Sequence, residues 1–298
     1  MEKEQTKKES IETKIIKEIE KTGYPTELQS ASKMISNGWN VFHNPSYLDK
    51  NEDKSREFDI EAIKTNEFEF RLSRLEAAYT PEQELASKKI VKFGTSVRLL
   101  CECKKSDNPW VFFVSKEALK YLNCTRCSFE YNHSLNYKRL QRNGHFVLLD
   151  KSFYETHHYY KNDFLARTFF EPFKKLDKPN SVSPMIHAAV MSCINATLYY
   201  EEIKYQNYLF LNYPVIIFQG ELFTSNIIEN KIEIERTNHV QLAFNLILSD
   251  KSQKSIGNSE RFIIDIIKFE YLEEYLKIIE VELSTLSKIV EDCFNKNK

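Results

Sequence analysis

Leu99-Leu100-Cys101-Glu102-Cys103-Lys104 is the stretch that decides how this chain is read. Strand alternation sends Leu99, Cys101 and Cys103 to one side, while Glu102 and Lys104 project together from the other. A charged pair at the end of an otherwise apolar strand is costly to bury without a partner or a metal. The strand therefore predicts chemistry at its carboxyl end. Its two thiols behave as small hydrophobes when reduced, and six cysteines in 298 residues make no disulfide framework.

Working upstream, Glu57-Phe58-Asp59-Ile60-Glu61-Ala62-Ile63 has the same period. Phe58, Ile60 and Ala62 are expected on one face, with Asp59 sharing the other with Glu57 and Glu61. Further back, Glu27 lies at helical spacing inside the arc that holds Leu28, Ala31, Met34 and Ile35. A glutamate on the core side of a helix needs a reason, and a site at the helix–sheet boundary supplies one. Cutting a phosphodiester calls for this residue set. A divalent cation offsets charge on the phosphate, hard cations want carboxylate and carbonyl oxygens, and a nearby lysine orients water and stabilises developing charge. Each element alone is weak, because an E-x-K triplet in a strand arises often by chance. The plain alternative is ordinary core and surface.

The stretches GYPTELQSASKMISNGWNV, SREFDIEA and LLCECKKSDNPWVFF together resemble the PD-(D/E)xK nuclease superfamily in its Mrr-like, restriction-endonuclease-like branch. There a helix carrying a glutamate precedes a strand carrying an aspartate and then a strand ending in E-x-K. The resemblance implies that Asp59, Glu102 and the backbone carbonyl of Cys103 hold Mg²⁺ or Mn²⁺, and that Glu27 holds a second ion or its waters. It implies that Lys104 positions the attacking water and that Lys105, Ser106 and Trp110 support the site. Products would carry 5′-phosphate and 3′-hydroxyl ends, with DNA the expected substrate and restriction, defence or repair the expected setting. The likeness covers about residues 20 to 115 and is a fold-level expectation for 180 to 298. Phe58 stands where the motif has proline. Glu102 also follows Asp59 by 43 positions, which requires the intervening segment to loop out so that the two strands become neighbours.

The rest of the chain is read as one mixed α/β domain, 1–298, whose central mixed sheet is flanked by helices. Residues 2 to 21 carry six lysines and six glutamates, with Ile11, Ile15, Ile16 and Ile19 at helical spacing. They predict an N-terminal amphipathic helix within 1–22. A second helix follows, with Pro25 in its first turn and Gly38 beyond its end. Strands are expected at 39–47 and 57–64, a helical insertion at 71–92 and a short strand at Trp110 to Val114. A basic, aromatic insertion spans 116–180, opening with a short helix at Lys116 to Leu122. A helix at 183–206 comes next, then strands at 214–219, 221–225, 239–247 and 261–267, and a last helix from about Phe269 to Cys293. That helix repeats Leu272, Leu276, Ile279, Leu283, Leu286, Val290 and Cys293 as a heptad seam. Packing on its own sheet is the preferred reading, and a homodimer contact is the alternative.

Hydrophobic residues make up 42% of the chain and the net charge is −1. That composition fits a folded protein and argues against coating nucleic acid by bulk electrostatics. It leaves room for a local basic face. Residues 116–151 hold seven Lys/Arg against three Asp/Glu, and Arg126, Lys138, Arg139 and Arg142 with interleaved aromatics suit phosphate contact and base stacking, with Lys105 expected to join them in binding nucleic acid. A solvated surface over a small satellite core explains them equally well. Cys124 and Cys127 have no second pair, and His133 and His145 complete no familiar zinc spacing. His157-His158 is expected as a surface or partly buried pair without carboxylate partners. No apolar run approaches a membrane span and no signal-peptide core opens the chain, so a cytoplasmic protein is expected. A non-cleaving DNA-binding or dimerising module on the same fold remains the alternative to a nuclease.

Overall fold

The computed structural model describes residues 10–20, 22–49, 52–71, 90–116, 155–162, 164–173, 183–203, 208–247 and 259–295. Four α-helices lie in these residues: α1 (Ile11–Glu20), α2 (Tyr24–Ser36), α3 (Pro184–Glu202) and α4 (Leu272–Asn295). The strands are β1 (Asn40–His43), β2 (Ser46–Asp49), β3 (Lys54–Glu57), β4 (Ile60–Arg71), β5 (Ile90–Lys105) and β6 (Trp110–Ser115). They continue with β7 (Leu165–Phe170), β8 (Tyr208–Gln219), β9 (Leu222–Ile228), β10 (Lys231–Arg236), β11 (His239–Ile247) and β12 (Ser259–Lys268).

Ten strands form one mixed sheet in the order β1-β4-β5-β8-β12-β11-β7-β6-β9-β10, while β2 and β3 pair separately. Its centre follows from composition. In β8 every residue from Leu209 to Phe218 is buried, the pattern of a strand covered on both faces. Val215 and Ile217 meet α2 and α4 on one face, beside Ala31, Met34, Leu276 and Leu283. Ile216 and Phe218 meet Ile186 and Val190 of α3 on the other. The fold is therefore mixed α/β, a large mixed sheet flanked by helices with a long carboxyl-terminal one. The heptad seam of α4, Leu272 through Val290, is buried against this sheet.

Strands β4 and β5 are antiparallel neighbours with Ile60 opposite Cys101, and β5 runs parallel to β8 with Cys101 opposite Val215. The 43-position gap thus closes as a long hairpin. Its arms run further than expected: Arg71 ends β4 and residues 90–92 begin β5, so both ends of the 71–92 stretch are strand. The tilted ring pair Phe68–Phe93, centroids 5.6 Å apart, extends the apolar alternation past its expected limit. Residues 72–89 lie outside the described residues.

Other expectations are corrected by the backbone. The single strand at 39–47 is broken by Asn44, whose φ of 47° turns the chain out of β1 before Pro45 and β2. Phe58 does not share a face with Ile60 and Ala62. A bend at Phe58 and Asp59 puts its ring with Tyr47, Leu100 and Tyr200, whereas Ile60 and Ala62 pack toward α4. Strand β7, inside the segment expected to be irregular, is held by Phe169 against Phe112, 6.1 Å between centroids. After α3 five strands lie among the described residues, where four at most are expected from the sequence. Strand β10 is the addition, joined to β9 through Glu229 and Asn230, both at positive φ as a two-residue hairpin turn requires.

Residues 117–154, with Arg126, Lys138, Arg139, Arg142, Cys124, Cys127, His133 and His145, lie outside the described residues, as does most of the helix expected at 116–122. Helix α1 forms, but its isoleucines are 48–69% exposed among the described residues. No helix among the described residues is long and apolar enough to cross a membrane.

The burial of the α4 seam has a measurable consequence. Leu283→Ala is expected to cost about 2–5 kcal/mol in urea unfolding, the range for a leucine removed from a packed core. Val281→Ala, at a 57% exposed position on the same helix, should stay within about 0.5 kcal/mol. Equal losses for the two would contradict the buried seam.

Candidate active site

The register just described ends where chemistry becomes possible. Strand β4 begins at Ile60, so the edge of β5 beyond Cys101 has no β4 backbone against it. Asp59 fills the gap with its side chain: its Oδ2 accepts the Cys103 backbone N–H at 2.6 Å. Asn44 N–H donates to the Asp59 carbonyl at 3.0 Å, anchoring the bend from the β1 side. The Cys103 carbonyl faces the amino end of α2, since a Cβ placed on Gly23 would stand 3.9 Å from its oxygen.

Lys104 joins the acids. Its ammonium contacts Glu102 Oε2 directly and lies 3.6 Å from Asp59 Oδ2. Glu102 is 6% exposed, and its other oxygen accepts from Ser192 Oγ of α3 at 2.6 Å. Glu27 is also 6% exposed, reaching in from α2 with Oε1 3.6 Å from His43 Nδ1. Glu27, Asp59 and Lys104 share an open cleft of about 370 Å³ with Gly23, Tyr24 and Met185, and Glu102 does not line it.

The electrostatics follow from that crowding. Burial raises Glu102 above the usual carboxylate range, against the pull of Lys104. Burial and then the Asp59 charge raise Glu27, opposed by His43. For Lys104 burial acts to lower the pKa, but Glu102 and Asp59 outweigh it and the ammonium is held more firmly. Hard oxygen donors therefore outnumber cations here, and that donor set fits Mg²⁺ or Mn²⁺. The cage is loose: no set of oxygens from Glu27, Asp59 and Glu102 lies within 4.8 Å of one another.

The structure thus brings Glu27, Asp59, Glu102, Cys103 and Lys104 to one end of β5. The neighbours behave as supports. Lys105 Nζ donates to the Glu20 carbonyl at 2.7 Å, Ser106 N–H donates to the Gln219 carbonyl, and Trp110 stacks on Phe218 at 4.0 Å in the core. His43 and Ser192 were not read from the sequence. Ser192 had a faint signal as a polar residue in an apolar helix; His43 had none.

A second cluster was also missed. His157 and His158 are buried, correcting the expectation of surface or partly buried residues without acidic partners. His158 Nδ1 is 2.7 Å from Glu282 Oε1 of α4, and its Nε2 is 3.0 Å from Asp265 Oδ2 of β12. His239 Nε2 lies 2.7 Å from Asp265 Oδ1. Burial alone would lower the His158 pKa, but the two carboxylates outweigh it and push it up to about 10. Burial holds neighbouring His157 down at about 3. The carboxylates are more than a hundred residues away in sequence, which is why alternation and spacing could not find them.

Searches against protein-family models, curated proteins and solved structures return no match to this chain.

Glu27 gives a pH test. Its folded pKa lies above the ordinary value of 4.5, so the folded chain binds this proton more tightly than the unfolded chain. The group's contribution to stability therefore falls as pH rises through that window. Glu27→Gln, which never ionises, is expected to raise Tm at pH 7, with the gain shrinking toward zero near pH 4. A Tm at pH 7 below that of the wild type would contradict a carboxylate whose burial outweighs its contact with His43.

Proposed function

We propose that this chain is a divalent-metal-dependent nuclease of the PD-(D/E)xK type, hydrolysing phosphodiester bonds of nucleic acid, with DNA the expected substrate. The observation that carries the reading is the meeting of Asp59 and Glu102 at Lys104, on the ends of adjacent strands, with Glu27 arriving from a helix. The order helix-glutamate, aspartate, E-x-K is the one the resemblance implies.

In this reading Asp59, Glu102, the Cys103 carbonyl and Glu27 hold Mg²⁺ or Mn²⁺, which supplies Lewis-acid stabilisation of charge on the phosphate. Lys104 remains an ammonium at neutral pH, so it acts as a hydrogen-bond donor and charge, not as a general base. From the cleft lining it orients the attacking water and offsets charge on the phosphoryl oxygens. Water oxygen bonds to phosphorus, the bond to the 3′ oxygen breaks, and that oxygen takes a proton. The open cleft admits a polymer backbone from solvent, whereas a closed pocket would not. Ser192 fixes Glu102, and Asp59 is fixed by the Cys103 amide, so neither carboxylate has to be ordered by substrate.

One observation favours a non-cleaving module on the same fold: the Lys104 ammonium already bridges Asp59 and Glu102, an ion network that holds together without a metal. Catalysis separates the two readings. Duplex DNA, single-stranded DNA and RNA are offered with Mg²⁺ or Mn²⁺ to the wild type and to Lys104→Ala. The variant is expected to lose at least about 100-fold in rate on whichever substrate is cut, the scale for a positioned electrostatic group. Equal cutting by both proteins, or none by the wild type on any substrate, would sink the nuclease reading.

A further inference from the structure

The geometry points to a second metal site, for a borderline transition ion such as Zn²⁺, formed by His158, His239 and Asp265 with Glu282 behind it. These residues come from a 3-10 turn (His158–Tyr160), β11, β12 and α4, none of which lines the carboxylate cleft.

The donor atoms already stand near coordination spacing. One nitrogen of His158, one of His239 and an oxygen of Asp265 lie within 4.8 Å of one another. Asp265 sits between the histidines, with Oδ2 3.0 Å from His158 Nε2 and Oδ1 2.7 Å from His239 Nε2. Ligands sharing one tetrahedral ion at about 2.0–2.1 Å stand roughly 3.3 Å apart, so the set needs to open only slightly. Imidazole nitrogens select zinc-like ions over Mg²⁺ or Ca²⁺, which sets this site apart from the all-oxygen cleft.

The surroundings match what a metal-bound histidine needs. A ligating imidazole usually donates its other N–H to a carboxylate, which fixes its tautomer and ring orientation. His158 has that partner: Nδ1 is 2.7 Å from Glu282 Oε1, and Glu282 is held in turn by the Tyr213 hydroxyl at 2.9 Å. Tyr275 donates to Asp265 Oδ2 at 2.8 Å. His157 also lies near Glu282, but its Nδ1 accepts the Tyr159 backbone N–H at 3.1 Å. The proton is then on Nε2, which turns toward Glu282 and the Tyr213 hydroxyl and is not free to ligate. His239, with an 18% exposed side chain, is the one partly open ligand and gives an ion a way in.

Charge supports the same assignment. Asp265 and Glu282 are both 0% exposed. Among their contacts in the described residues these two negative charges are met by imidazoles, with no lysine or arginine beside them. A dication bound to a neutral His158 would cancel both, releasing the Nε2 proton to solvent while Nδ1–H stays on Glu282.

The test uses the full chain, stripped with EDTA and titrated with Zn²⁺ against a chromophoric chelator. The wild type is expected to bind one equivalent tightly enough to compete with the chelator and Asp59→Asn to keep it, any weaker second equivalent in the all-oxygen cleft being the one that Asp59→Asn removes. Glu282→Gln should lose about 10–100-fold in affinity, the scale for an orienting partner, and His239→Ala should lose more. Because a variant can misfold, the wild type is also loaded with Co²⁺. Visible d–d bands without a thiolate charge-transfer band are expected from nitrogen and oxygen ligands. No stoichiometric binding, binding unaffected by His239→Ala, binding abolished by Asp59→Asn, or a thiolate band would each overturn the proposal.

Discussion

The pairing of β4 with β5 is the constraint on which the rest of the structure depends. Side-chain direction alternates along a strand, so a slip of one residue would turn Asp59 away from Glu102 and Lys104. What resists the slip is a buried ion contact a few residues along. Arg98 Nε lies 2.7 Å from Glu61 Oε1, without the angle of a hydrogen bond. Its guanidinium is stacked between Tyr200 and Phe210, 4.3 and 4.5 Å from the ring centroids. Glu61 takes a further bond from the Tyr200 hydroxyl at 2.9 Å, and Asn212 accepts from Arg98 at 3.2 Å. A one-residue shift would carry Arg98 to the apolar face under α4, leaving two buried charges apart, which costs several kcal/mol. An ion pair that adds little net stability can thus select one register out of several.

Much of that arrangement is legible in the sequence because alternation is a local property. The direction of Glu102 and Lys104, the core-facing Glu27 and the apolar seam of α4 all depend on neighbours within one turn or one pleat. Phe58 shows where such reasoning stops. The period is right on both sides of it, but the bend before Ile60 resets the phase, and that bend is fixed by backbone contacts from Asn44 and Pro45 rather than by the heptapeptide itself. Strand β10 escaped for a related reason: its turn uses Glu229 and Asn230 where an Asn-Gly would have announced a hairpin. The histidine cluster is the extreme case. Its members are brought together only by the pairing of β11 with β12 and the docking of α4, so no window of sequence contains its chemistry.

The two acidic clusters show opposite solutions to the same problem. At the end of β5, three carboxylates face one ammonium beside an open cleft, and burial leaves Glu27 and Glu102 holding protons more tightly than usual. Among β12, α4 and the 3-10 turn, burial is more complete, yet Glu282 is held below the carboxylate range because histidines outweigh the cost of burial. The difference is one of geometry rather than of residue type. Lys104 meets Glu102 from its own strand and Asp59 from the bend before β4, beside an open cleft where solvent shares the work of stabilising charge. His158 stands between two carboxylates with both ring nitrogens occupied, so interior charges are offset at contact distance. Buried carboxylates in excess beside an open cleft are the donor type that a hard cation takes. A cluster closed by imidazoles favours either a shared proton or an ion that binds nitrogen, and the same contacts that stabilise the proton define where that ion would sit.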